Sequence, residues 1–251
     1  WNWDSCLQAF VEIETDLDHG TDPEHGDSGP LPIRRHTQAE LVPWQAAFLE
    51  ACALRGHPES PDHNATGATG YGNHAMNKLS GRRISASQAW LTDAVRQRPN
   101  LRIQPQTHAV RIVVEAGRAR GVEVIQDGKK TVLQADRIVL AAGAIHTPGV
   151  LLRSGIGPQR LLKTLGVDVT VDVPGVGARL LDHPGAAFFC LGRPAIWNAK
   201  APLIQSALRI NGPSNGHYPG EWLIQAGSHV PLPRITLPFL CSVMVSIGKP
   251  A

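Results

Sequence analysis

The sequence of 251 residues predicts an α/β fold with α+β elements, on three observations. A strand-like run at residues 137–141 leads through a glycine turn into a helical pattern, as at the ligand-binding edge of an open α/β sheet. Three short β-branched segments separated by glycine turns predict a meander. They are residues 109–114, 121–125 and 131–133. Later strand patterns predict part of a second, antiparallel sheet. They are residues 186–191, 221–225 and 235–247.

The part of the chain before the meander combines helical patterns with loops. Helices are predicted where apolar residues recur at helical spacing. They are residues 7–11, 38–54 and 85–95. Loops are predicted where glycine, proline, aspartate and asparagine cluster. They are residues 16–29 and 59–73. Residues 101–103 are expected to open the run of strands.

The segment that follows residues 137–141 is the most informative part of the chain. Gly143 can adopt a positive φ angle and has no side chain to keep a ligand away. Thr147 is a good N-cap, and Pro148 suits the first helical position, where a missing N–H costs nothing. We therefore expect a helix to start at Pro148, just beyond the end of the strand.

The same segment resembles a family signature. From Gly143 to Gly157 the chain has a glycine, a small residue, Thr147-Pro148, aliphatic residues and a closing Ser-Gly-Ile-Gly. This arrangement is similar to the second signature of the glucose–methanol–choline (GMC) flavoprotein oxidoreductases. Flanking segments resemble the same family. They are residues 26–31, 81–86, 98–101, 121–124, 165–167, 174–177 and 182–184.

The resemblance implies a division into functional segments. Residues 1–80 would be a loop-rich part of the substrate domain and cap region, residues 81–183 part of the FAD-binding domain with its β-meander, and residues 184–251 the first part of the antiparallel substrate domain. The chain lacks the family's opening strand–glycine–helix unit and the later catalytic region. We therefore expect an internal piece of a longer flavoenzyme, inactive and unable to retain FAD by itself.

The resemblance also suggests three cofactor-binding residues. Val110 matches the position at which relatives use a valine backbone to bind the FAD adenine. Ala142 and Gly143 lie where the chain would pass the adenosine half of FAD. The alternatives are a core valine of a strand for Val110 and an ordinary tight turn for Ala142 and Gly143. No residue of the chain is assigned a catalytic role.

For the intact protein the resemblance implies flavin-dependent oxidation of an alcohol by hydride transfer to FAD. Two alternatives remain open: a hydroxynitrile lyase of the same fold, and a non-catalytic remnant of a flavoprotein. The expected partner is a small-molecule alcohol, whose identity the sequence does not determine. The electron acceptor and the oligomeric state are equally undetermined.

Composition limits the other functional classes. The chain is 42% hydrophobic and 18% charged, with a formal net charge of +3 from scattered residues, so we expect no nucleic-acid partner. It has no apolar run long enough for a membrane span. Its four cysteines form no Cys-x-x-Cys pair, which favours free thiols in a reducing compartment such as the cytoplasm. A leader before Trp1 would not be visible.

Acidic and histidine side chains are dense in residues 16–27 and invite a metal-site interpretation. The spacing does not fit an EF-hand, because Gly20 stands at the fifth position and Asp27 at the twelfth. We therefore expect a solvated acidic loop and no metal site.

Overall fold

The computed structural model describes residues 1–212 and 220–247. The chain divides into two compact units. The sheet unit comprises Trp1–Arg98 and His183–Ala251, and the meander unit comprises Pro99–Asp182. One unit boundary lies between Arg98 and Pro99 and the other between Asp182 and His183. The functional segments expected at 1–80, 81–183 and 184–251 stay predictions.

Six α-helices lie in the described residues. They are α1 (Trp3–Ile13), α2 (Pro43–Leu54), α3 (Ala86–Trp90), α4 (Asp93–Arg96), α5 (Gly143–Arg153) and α6 (Gln159–Thr164). The helices expected at 7–11 and 38–54 are confirmed, the second as a 3-10 turn followed by α2. One helix over 85–95 is wrong, because two N-caps divide the segment. Ser85 Oγ accepts the Gln88 N–H, and Thr92 Oγ1 accepts the Val95 N–H.

Sixteen strands complete the described secondary structure. They are β1 (Glu14–Asp16), β2 (Leu31–Ile33), β3 (Gly70–Asn73), β4 (Lys78–Leu79), β5 (Arg82–Arg83), β6 (His108–Glu115), β7 (Arg118–Gln126), β8 (Lys129–Gln134), β9 (Ile156–Gly157), β10 (Val171–Asp172), β11 (Gly185–Leu191), β12 (Ser206–Ile210), β13 (Trp222–Gly227), β14 (Val230–Leu232), β15 (Ile235–Leu237) and β16 (Leu240–Ile247). The α/β class is therefore confirmed.

A five-stranded antiparallel sheet in the order β11-β16-β13-β12-β3 organises the sheet unit. The strands expected at 186–191 and 221–225 are confirmed as β11 and β13. The segment 235–247 is two strands, β15 and β16, because Pro238 interrupts the ladder.

The sequence did not predict two strands of this sheet, β12 and β3. β3 lies inside the expected loop 59–73, so the prediction is wrong there. Glycine is a poor strand former, but here it permits close approach: a Cβ on Gly70 would lie 2.4 Å from the Pro58 carbonyl oxygen. A Cβ on Gly72 would lie 2.1 Å from the Ser60 carbonyl oxygen. Close contact with the neighbouring backbone thus explains why a glycine-rich segment, which the composition predicts to be a loop, forms strand β3.

Helix α2 is held on this sheet by a polar side chain. Gln45 is fully buried, and its amide nitrogen donates to the Ala226 carbonyl and to Ser228 Oγ, both at 2.8 Å. Its amide oxygen accepts the Ser206 hydroxyl at 2.6 Å. It also accepts the backbone N–H groups of Gln205 and Ser206. One amide therefore connects α2 to β12 and β13.

The meander unit contains the antiparallel sheet β6-β7-β8, which confirms the predicted meander. Its two hairpin turns have positive φ angles at both central residues, Ala116-Gly117 and Asp127-Gly128. That geometry matches the twist of paired strands and favours glycine at the second position. Local sequence and local conformation agree here.

Two expected strands of the meander unit are absent. Residues 137–141 and 101–103 are irregular, and Val139 is 88% exposed. A strand exists only when a neighbouring strand takes up its backbone hydrogen bonds, and among the described residues none pairs with either segment. No helix in the described part of the chain is long and apolar enough to cross a membrane.

Candidate functional site

Helix α5 begins at Gly143, and this start carries two of the three expected site residues. Gly143 has φ +81°, and a Cβ built there would have no heavy atom within 4 Å. Ala142 is the N-cap, and both residues are exposed. The glycine therefore combines a left-handed backbone with open space, which a closely approaching ligand requires.

The helix starts five residues earlier than Pro148, so the expected N-cap is wrong. Thr147 lies inside α5, where its Oγ1 accepts the Ala142 N–H at 3.0 Å. Pro148 also lies inside the helix and donates no hydrogen bond to the preceding turn. The threonine side chain thus supports the glycine turn from within the first turns of the helix rather than from its cap.

Val110 occupies a bulge in β6. Its neighbours Ala109 and Arg111 pair with Val124 and Glu123, which are consecutive residues of β7, so Val110 is the extra residue of the ladder. Bulges redirect a strand locally and are common beside functional sites. The Val110 side chain is half-buried.

The last turn of α5 is bonded to β6. Arg153 Nε donates to the Val110 carbonyl oxygen at 2.7 Å. The buried Ser154 hydroxyl accepts the Ile112 N–H at 2.8 Å and donates to the Val150 carbonyl at 2.7 Å. Arg153 and Ser154 therefore bind Val110 and Ile112 of β6, respectively.

These contacts show which of the expected residues the fold brings together. Ala142 and Gly143 stand at the first turn of α5, and Val110 is bonded to its last turn. No hydrogen bond joins Val110 directly to either of them among the described contacts. The helix of 11 residues connects the two, and at about 1.5 Å per residue it is roughly 16 Å long.

A second cluster, which the sequence did not predict, lies in the sheet unit. The side chain of Arg35 is 7% exposed, and its NH1 donates to both carboxylate oxygens of Asp16 at 2.9 Å. Its NH2 donates to Asp62 Oδ1. His25 bridges Asp62 at 2.9 Å and Glu14 at 2.8 Å. We call these five residues the buried ionic cluster.

The cluster corrects the expectation of a solvated acidic loop. Asp16 and His25 are buried, although none of residues 17–24 is. Burial alone would raise the pKa of Asp62, but hydrogen bonds from the Asn64 backbone, His25 and Arg35 lower it to about 2. Burial opposes protonation of His25, yet its bonds to Asp62 and Glu14 leave its pKa raised. Opposite charges are therefore matched inside the fold.

The same cluster includes a group with metal-ligating atoms. Ligand atoms of Glu14, Asp16 and His25 lie within 4.8 Å of one another. The Arg35 guanidinium already occupies both oxygens of Asp16, so a cation would have to compete with it. The donor set is explained by internal ion pairing.

Comparisons with known proteins identify relatives of this chain. The family model described as GMC oxidoreductase matches residues 1–185. The 5-(hydroxymethyl)furfural oxidase of Methylovorus sp. (strain MP688) is 36% identical over 183 residues, covering 73% of this chain and 34% of the relative. The oxygen-dependent choline dehydrogenase of Photobacterium profundum is 33% identical over 210 residues, covering 83% and 37%.

A solved structure agrees with the sequence comparison. The crystal structure of pyridoxine 4-oxidase from Mesorbium loti matches with a TM-score of 0.82 and 30% identity, covering 100% of this chain and 50% of that one. A formate oxidase of Aspergillus oryzae RIB40 shares the fold with a TM-score of 0.79 at 23% identity. The chain spans between a third and about half of the length of these relatives.

Proposed function

This chain belongs to the GMC oxidoreductase family, and from that premise we propose that it forms part of an FAD-dependent enzyme that oxidises a small alcohol. The observation that carries the proposal is an open, left-handed Gly143 at the first turn of α5 together with a bulged Val110 bonded to its last turn. The oxidase and dehydrogenase activities named for the relatives support the same reaction class. None of the relatives described above is named as a lyase.

FAD, when bound, supplies the acceptor for the hydride that leaves the carbinol carbon of the alcohol. Within this chain we assign Val110, Ala142 and Gly143 to the adenosine side of FAD. Val110 would present backbone groups to the adenine from its bulge. Gly143 would let the nucleotide approach the backbone at the start of α5, where unpaired N–H groups and the helix dipole favour anionic ligands.

The open space beside Gly143 makes these residues a good fit for a nucleotide. A side chain there would meet nothing in the described chain, so no internal packing explains the choice of glycine. Gly117 offers the matched contrast. It also has a positive φ, +73°, and open space, but it lies in the turn between β6 and β7.

The proposal is tested on the complete reading frame that contains this chain. The purified protein should carry FAD, and a substrate alcohol under anaerobic conditions should bleach the oxidised flavin absorbance. Gly143→Val should lower flavin content and FAD affinity, whereas Gly117→Val, with the same backbone strain, should not. A protein that purifies without flavin would contradict the proposal. So would a bound flavin that none of choline, pyridoxine, 5-(hydroxymethyl)furfural or a panel of simple alcohols reduces.

A further inference from the structure

We propose that Arg153 is a positioning residue that holds the bulged peptide of Val110 ready for the adenine of FAD. The inference rests on the proposed function and extends it to a residue outside the expected site. It starts from the 2.7 Å bond between Arg153 Nε and the Val110 carbonyl oxygen.

A bulged residue needs support that its ladder does not give. Val110 has no register partner in β7, so the orientation of its peptide depends on groups outside the sheet. Arg153 supplies such a group from the last turn of α5. A guanidinium donor makes a stronger bond to a carbonyl than a neutral donor does. The geometry therefore fixes the peptide plane of Val110 from its carbonyl side.

Space for this arginine is provided on its own helix. A Cβ built on Gly149 would lie 3.3 Å from Arg153 NH1, so the guanidinium lies across a position that carries no side chain. A larger residue at position 149 would require the guanidinium to move. Arg153 thus reaches β6 across a glycine rather than extending freely into solvent.

Attachment of α5 to β6 does not depend on Arg153. The buried Ser154 hydroxyl receives the Ile112 N–H and is itself anchored to the Val150 carbonyl. Arg153, by contrast, is exposed. Loss of its side chain should leave the packing of the meander unit intact and free only the Val110 peptide. The carbonyl oxygen has two lone pairs, so its bond to Arg153 leaves further acceptor capacity.

The test measures the affinity of the complete protein, freed of FAD, for adenosine monophosphate by isothermal titration calorimetry. The wild-type protein should bind adenosine monophosphate, and Gly143→Val should weaken that binding. Arg153→Ala should weaken binding about fivefold to tenfold, the effect of one hydrogen bond made by an exposed side chain. Arg153→Lys, which keeps a cationic donor, should restore affinity to within about twofold. The control Arg160→Ala removes an exposed cation of α6 and should bind like the wild type.

Each outcome decides a separate question. FMN, which lacks adenine, should bind the wild type and Arg153→Ala equally, and the two proteins should melt at the same temperature. Equal affinity of Arg153→Ala and wild type for adenosine monophosphate would overturn the positioning role alone. An Arg153→Ala defect that Arg153→Lys does not repair, or that a lower melting temperature accompanies, would also overturn it. A complete wild-type protein that does not bind adenosine monophosphate, or that binds it as tightly after Gly143→Val, would overturn the cofactor site and this inference together.

Discussion

Replacing Arg35 by methionine should sharply destabilise the sheet unit. The substitution removes the guanidinium from two buried carboxylates, Asp16 at 0% and Asp62 at 8% side-chain exposure, and leaves them paired with His25. Removing one partner of a buried ion pair costs about 3–5 kcal/mol, because the remaining charge stays desolvated. Natural domains are stable by about 5–15 kcal/mol, so this loss is a large fraction of the total.

The neighbouring Arg34 is a matched control. It makes a two-pronged ion pair with Glu40, with N–O distances of 2.6 and 3.0 Å, but the side chains are 26% and 39% exposed. Exposed pairs contribute about 0–1 kcal/mol, so Arg34→Met should change the free energy of unfolding little. The two variants differ by one position in the chain and remove the same charge.

Urea unfolding followed by tryptophan fluorescence measures the difference. All six tryptophans lie in the sheet unit, so the signal reports that unit and not the meander unit. With a denaturant dependence of about 2–3 kcal/mol per molar, Arg35→Met should lower the urea midpoint by roughly 1–2 M. Asp62→Asn in the Arg35→Met background should recover part of the loss. Equal midpoints for the Arg34 and Arg35 variants would refute the argument.

Three further predictions concern other positions. Burial lowers the pKa of His74 to about 4. An unfolded histidine gains its proton near pH 6.5, so the stability that neutral His74 contributes is complete above that pH and is lost as the pH falls from 6.5 to about 4. The urea midpoint of a His74→Gln variant should therefore fall less steeply over this range than that of the wild type. Parallel curves for the two proteins would contradict the reasoning. Gly166→Ala should lower the free energy of unfolding by roughly 1–2 kcal/mol, and Gly155→Ala should lower it several times as much, as measured by thermal unfolding. Both glycines have positive φ, but a Cβ on Gly155 would lie 2.3 Å from the Asp168 carbonyl oxygen, whereas Gly166 has open space; similar melting temperatures would refute the steric argument. Gln45→Leu should lower the free energy of unfolding by about 3 kcal/mol or more, because several buried donors and acceptors of the sheet lose their hydrogen-bond partner. A decrease below about 1 kcal/mol would show that the sheet rearranges to satisfy these groups.

Much of the meander unit could be predicted because its signals are local. β-branched segments, joined by turns such as Asp127-Gly128, determine three strands and their order without help from distant residues. The freedom of Gly143 is local in the same way, since its positive φ depends on the absence of a Cβ. The family signature spans contiguous residues, so it too could be read along the chain.

Long-range contacts decided the features that the sequence did not predict or predicted wrongly. Gln45 interrupts an apolar helical pattern, and only its partners more than 150 positions away show that it holds the helix on the sheet. The bulge at Val110 depends on its pairing with β7, and the bond to its carbonyl comes from Arg153, 43 positions later. Thr147 was misjudged because a residue that can cap a helix can also support a turn from inside it.

The sequence by itself determined the class of fold, the meander and the family, because these depend on periodicity, turn chemistry and contiguous motifs. Only the tertiary structure decided that Asp16 and His25 are buried ion-pair partners and not a solvated loop. It also decided that residues 137–141 form no strand among the described residues. Whether a charge is buried and whether a strand is paired depend on residues that are near in space but distant in the chain, and the local sequence does not specify those neighbours.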